Sequence, residues 1–187
     1  MFDGCPANNI NKETSTMQEP LTAWQALFAH ADKEPDRTFL HQPIEGEVIS
    51  WTFAEAVNDA RRFASALRGM GLQKGDRVAI LSKNTAEWLL ADYAISMAGL
   101  ISVPIYPTAS AGTIRHVMRH SEAKAIIVGK LDNPETPEQA LTPEVQKIAL
   151  RYPSMDCQHE WQSLIDSNEP WQDLHQPDPS ETMTILY

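Results

Sequence analysis

The sequence predicts an α/β fold: a doubly wound, mainly parallel sheet with flanking helices and a small N-terminal β-hairpin. Three observations predict it. Val78–Leu81, Leu100–Ile105 and Lys124–Val128 are continuous apolar runs, the pattern of strands covered on both faces. Segments of helical periodicity alternate with these runs, which is the order of an α/β sheet and not of a bundle or a sandwich. From Gly75 to Tyr106 the chain reads as one strand–helix–strand unit, and two parallel strands joined by a right-handed helical crossover are its default geometry.

Taken in order, residues 1–19 are polar, lack periodicity and are expected to form a flexible arm. A helix is expected over Thr22–Ala31, with Leu21, Trp24, Leu27 and Phe28 on one face and Pro35 ending the region. Thr38–His41 and Glu47–Trp51 flank a turn-like PIEGE segment and read as a hairpin. Thr52 and Glu55 form a capping box for the longest helix. Phe53, Val57, Ala60, Phe63, Ala64, Leu67 and Met70 keep helical spacing until Gly71, which leaves Arg61, Arg62 and Arg68 on the wet side. Gly75 and Asp76 turn into the first buried strand. Asn84, three residues before Glu87, is placed to cap the next helix, whose apolar positions are Trp88, Ala91, Ile95 and Ala98 and whose stop is Gly99.

After the second strand, Tyr106, Pro107 and Thr108 make a loop, and Ser110 caps a helix running to about His120. Pro134, Pro137 and Pro143 punctuate a looser connection, where Thr142 and Pro143 are placed to start a short helix ending near Arg151. Another helix is expected over Glu160–Asp166. A loop with Pro170, Pro177 and Pro179 then leads to a last apolar run, Met183–Tyr187.

Bulk properties exclude several classes. The 187 residues suggest one domain with an appendage. Fifteen basic against 25 acidic side chains give a formal charge of −10 without a basic stripe, which disfavours nucleic acid and anionic membrane surfaces as partners. MFDGCPANNI is not a secretory signal, and Cys5 and Cys157 make no disulfide framework, so the cytoplasm is the simplest home. Trp88–Tyr106 is apolar enough to raise a membrane span, but Asp92, Gly99 and Pro104 interrupt it. Gly69, Gly71 and Gly75 precede a strand instead of following one, the wrong context for a dinucleotide fingerprint.

The search for chemistry is mostly negative. His116 and His120 have a metal-holding spacing, but there is no HExxH pattern and Arg115 and Arg119 flank them. Cys157 and His159 lie too close along the chain to imply a nucleophile–base geometry. No GxxxxGK[ST] loop and no GxSxG elbow occurs. Glu87 reads as a helix cap before a general base, and Trp24, Trp51 and Trp88 as core or subunit-contact residues. The Tyr106–Thr108 loop is the best-placed site, because ligands of open α/β sheets collect at the carboxyl ends of strands. No catalytic, cofactor-binding or metal-ligating residue is assigned.

The stretch WTFAEAVNDARRFASALRGMGLQKGDRVAILSKNTAEWLLADYAISMAGLISVPIYPTAS resembles the amino-terminal region of AMP-forming acyl-CoA synthetases, in the adenylate-forming superfamily. The tokens are a T[FY]xE helix start, GLxKGDRVAI, NxxEW and AGxxxVPxYP, covering about residues 21–130 in the family's order. IYPTASAGTIRHVMRHSEAKAIIV and HEWQSLIDS look most like the long-chain fatty acid CoA ligase branch. On this resemblance residues 20–187 are the N-terminal α/β subdomain, truncated where ETMTILY would lead into a phosphate-binding loop.

The resemblance implies two-step acyl activation in the full-length enzyme: fatty acid, ATP and CoA become acyl-CoA, AMP and pyrophosphate by way of an acyl-adenylate. ATP, Mg and CoA are implied for the full-length protein and none for this region, which acts as scaffold and is expected to be inactive alone. Its partners would be the missing C-terminal portion of its own chain, with fatty acid and CoA as substrates of the whole. A homodimer contact occurs in some relatives, and membrane association would be peripheral at most. Two competing readings are a stand-alone interaction module on the same scaffold and a fragment of a different acid-activating adenylating enzyme. Without its neighbour the sheet should carry an apolar patch or an unpaired strand edge, with Met183–Tyr187 displaced, disordered or paired with another copy.

Overall fold

The computed structural model describes residues 21–152 and 155–187; the arm expected over 1–19, with Cys5, lies outside the described residues. Helix α1 (Ala23–Lys33) begins at a capping box in which Thr22 accepts from the Gln25 amide and the Gln25 side chain reaches back. Strands β1 (Thr38–Ile44) and β2 (Glu47–Thr52) form the expected antiparallel hairpin. Its turn is Glu45–Gly46, both at positive φ (51° and 90°), the requirement of a tight primed turn. Helix α2 (Phe53–Gly69) starts at the Thr52–Glu55 capping box and buries Phe53, Ala56, Ala60, Phe63, Ala64, Ala66 and Leu67.

The central unit follows as β3 (Arg77–Leu81), α3 (Ala86–Met97) and β4 (Ile101–Ile105). Gly99, at φ +71°, supplies the turn between helix and strand. Then come α4 (Ala111–Ser121), capped by Ser110, β5 (Ala125–Val128), the short α5 (Glu135–Glu138), β6 (Gln146–Ala149), β7 (His159–Glu160) and α6 (Trp161–Ser167). The larger sheet has the order β4-β3-β5-β6-β7 and is parallel throughout.

Alternation along the strands divides the core in two. Val78, Ile80, Ala125, Ile127 and Ile148 face α1, α2, α3 and α6; Ala79, Leu81, Ile126, Val128, Val103 and Ile105 face α4. Trp24 and Trp51 are buried in the first layer, where Phe63 and Trp161 also pack with ring centroids 4.4 Å apart. Trp88 is only half-buried. Among the described residues no helix is long and apolar enough to cross a membrane.

The structure corrects four expectations. Residues after Thr142–Pro143 form the strand β6 instead of a helix: the open edge of β5 offers a ladder to Gln146–Ala149, and pairing outweighs a local helix-start signal. Asn84 is exposed and does not cap α3; Thr85 does, accepting from the Trp88 amide at 3.1 Å. Arg61, Arg62 and Arg68 are not simply solvated. Arg61 Nε donates to Trp171 O (2.9 Å), Arg62 donates to Asn168 O (2.6 Å) and Arg68 lies over the Trp171 ring, so this helix face holds the chain leaving α6. Finally, Met183–Tyr187 is not displaced: Thr184 bridges Ser102 in parallel, on the free edge of β4.

Candidate functional site

The chain passes from β3 through α3 to β4 on one side, then through α4 to β5 on the other. The strand order therefore reverses at β3, and a ligand of such a sheet is expected in the crevice between the carboxyl ends of β3 and β5. That crevice is closed. Ser82 Oγ accepts from the Lys130 amide (3.0 Å) and donates to Lys83 O (2.7 Å), and the Lys83 amide donates to Lys130 O (2.8 Å). Gly129 is pressed so tightly against Ser82 that a Cβ there would come within 2.8 Å of Leu150 Cδ1 and closer still to Ser82 Oγ. Across the rim Lys83 pairs with Asp132.

The open space lies one strand over. A cleft of about 290 Å³ runs between Trp88, Pro104, Tyr106, Pro107, Leu186 and Tyr187, with Ser82 and Asn84 also in its lining. Tyr106 and Leu186 are 73% and 77% exposed, so the cleft has an apolar, solvent-facing lip. The Tyr106–Thr108 loop is thus at the sheet rim, as expected, and is rigidified by the Ala109 amide donating to Tyr106 O (2.9 Å).

Glu87 has a different role from the cap expected of it. Its side chain is fully buried, and Arg151 Nε lies 2.6 Å from one carboxylate oxygen while the Arg151 amide donates to the other (3.3 Å). Burial pushes the Glu87 carboxyl above its ordinary value even against the lowering by Arg151. Arg151 also donates to Gln162 (2.6 Å) and lies over the Trp51 ring, whose Nε1 donates to Asp59 (2.9 Å). Burial raises Asp59 as well. This network ties α3, β2, α2 and α6 to the end of β6. A larger cavity of about 570 Å³ beside it is lined by Ile44, Ile49, Leu150 and Trp161, with Glu160 at its wall and its arginine, Arg151, already committed to Glu87. No local signal marks the Glu87–Arg151 pair, whose members are 64 residues apart.

The remaining expected groups do not form sites. His116 and His120 stack on the exposed face of α4 with centroids 5.6 Å apart, and His120 Nδ1 meets the Tyr187 hydroxyl at 2.7 Å. Among the described residues no group of three or more His, Cys, Asp or Glu side chains could hold a metal ion. Burial pushes the Cys157 thiol up to about 11, the wrong direction for a nucleophile, and His159 lies in the two-residue strand β7.

Known proteins resemble this chain in sequence and in fold. The family described as AMP-binding enzyme matches residues 27–187. A long-chain-fatty-acid–CoA ligase (FadD15) of Mycobacterium bovis is 41% identical over 97 residues, 52% of this chain and 16% of that relative. A mitochondrial medium-chain acyl-CoA ligase (ACSF2) of Rattus norvegicus is 34% identical over 109 residues, 58% of this chain and 17% of that relative. The chain thus spans about a sixth of the length of these relatives. The fold resembles the crystal structure of a benzoate CoA ligase from Burkholderia xenovorans, with a TM-score of 0.73 and 22% identity over 85% of this chain and 31% of that one.

Proposed function

Because the chain belongs to the AMP-binding enzyme family, we propose that residues 20–187 are the amino-terminal α/β subdomain of an acyl-CoA ligase of the long-chain fatty acid branch. The family match over residues 27–187 carries the reading. In the whole enzyme a fatty carboxylate attacks the α-phosphorus of Mg-ATP and releases pyrophosphate, and the thiol of CoA then displaces AMP from the acyl-adenylate. Catalysis of this kind rests on positioning and on donors aimed at phosphate oxygens. Those donors belong to other parts of the enzyme, and the described residues act as the wall they are built against.

Two features support the division of labour. The switch-point crevice between β3 and β5 is filled by Ser82 and Gly129, and the basic groups Lys83 and Arg151 of the rim are paired with Asp132 and Glu87. The apolar lip at Tyr106, Leu186 and Tyr187 is a surface suited to packing against a neighbouring subdomain of the same chain. The same reading places the enzyme in the cytoplasm, with at most peripheral membrane contact and with a homodimer contact available to this region.

Pyrophosphate release separates the parts of this proposal. The 187-residue chain with Mg-ATP and a saturated long-chain fatty acid should release none, whereas the full-length protein should release it and favour long over medium and aromatic acids. Release by the chain alone would overturn the scaffold role. A preference of the full-length protein for an aromatic acid would overturn the substrate class.

A further inference from the structure

We infer that residues 183–187 are a reversible sixth strand of the sheet, seated on the β4 edge by two side-chain clamps and not by their own ladder. The ladder is minimal. The Ser102 amide donates to Met183 O (3.0 Å), the Ile185 amide donates to Ser102 O (2.9 Å), and Ser102↔Thr184 is the single bridge. Ile185 packs on the core layer of Val103 and Ile105, but Leu186 is 77% exposed and Tyr187 41%. So short a pairing, with Leu186 and Tyr187 left to solvent, is marginal by itself.

The clamps stand at its two ends. At the lower end Glu181 bridges Lys74 Nζ (2.9 Å) and His175 Nε2 (2.5 Å). His175 is itself fixed, since its amide donates to Met97 O (2.9 Å) and its ring is packed against Gly99, where an added Cβ would lie 3.1 Å from Cγ. The lower clamp is therefore anchored to the α3–β4 turn. At the upper end the Tyr187 hydroxyl meets His120 Nδ1, with both imidazoles of α4 edge-on to the phenol ring. From Trp171 to Met183 the chain has no helix or strand, so no regular element of its own carries the segment onto β4 and the two clamps stand out among the few contacts that seat it. When the clamps open, β4 becomes an unpaired edge and Ser102, 2% exposed when closed, meets water.

Hydrogen exchange tests this residue by residue. In the unaltered chain the Ser102 and Ile185 amides should exchange together, more slowly than a free peptide and faster than the amides of β5. Glu181→Gln should speed both by about threefold, Tyr187→Phe by about twofold, and the double variant by about their product, with β5 unchanged, the scale of exposed paired groups. Four results would overturn the inference: free-peptide rates in the unaltered chain, protection equal to that of β5, no response to either variant, or equal acceleration of β5.

Discussion

Asp76, at the foot of β3, and Glu87, in the first turn of α3 at the opposite end of the sheet, are both carboxylates held against a cation. Asp76 is 7% exposed, takes Lys124 Nζ at 2.8 Å and accepts from the Gln73 amide at 2.8 Å. Burial alone would raise it, but these donors outweigh burial and hold the carboxyl below its ordinary value. Glu87 is 0% exposed, and there burial outweighs Arg151 and raises it. The same pairing of charges gives opposite shifts because Lys124 reaches from the solvent side, with its side chain 54% exposed, while Glu87 has no water to share. The foot of the sheet is a satisfied turn, whereas the rim buries a carboxyl whose one cationic partner is Arg151.

Breaking the rim should therefore have the larger effect. Arg151→Ala leaves the buried Glu87 carboxyl without its partner, and should lower stability by about 3 kcal/mol, read as a shift in urea midpoint with unchanged slope. Replacing both members, Glu87→Leu with Arg151→Met, should recover most of that loss. Gly129→Ala comes next. It forces a methyl into Ser82 and Leu150 and should cost about 2 kcal/mol, part of which Ser82→Ala returns.

At the foot, Asp76→Asn should cost about 1 kcal/mol at neutral pH. The two ends also separate by pH. Because its folded carboxyl is lowered, the stability Asp76 gives is present above its unfolded value and disappears as pH falls through its folded one. The raised Glu87 acts the other way: between its unfolded and folded values stability falls as pH rises, a slope that Glu87→Gln should remove from the unfolding curves. The smallest effect is expected for Lys83→Ala, whose exposed pair with Asp132 should change stability by less than about 0.5 kcal/mol.

Much of this arrangement is legible in the sequence, and where it is not the reason is distance along the chain. Thr52–Glu55 and Ser110 act within one helical turn and cap as their spacing predicts. The buried strands β3, β4 and β5 announce themselves as uninterrupted apolar runs. Asn84–Glu87 offers the same spacing as a capping box, yet Glu87 is claimed by Arg151, so the cap passes to Thr85. Thr142–Pro143 is a sound local helix signal that loses to the β5 edge, and the two residues of β7 are too few to carry a pattern. At the rim, the Tyr106–Thr108 loop is placed by topology alone. The closure of the neighbouring crevice depends on Gly129 meeting Ser82 across strands and leaves no trace in either local sequence.

Whether the rim of this sheet is a wall or a nucleotide site is decided most directly by thermal melting of the 187-residue chain with increasing Mg-ATP. A ligand that binds the folded chain raises its melting temperature with concentration. No shift is expected, with fatty acid and CoA present or absent. A rise in melting temperature that grows with Mg-ATP would contradict the scaffold role and place a nucleotide site within these residues.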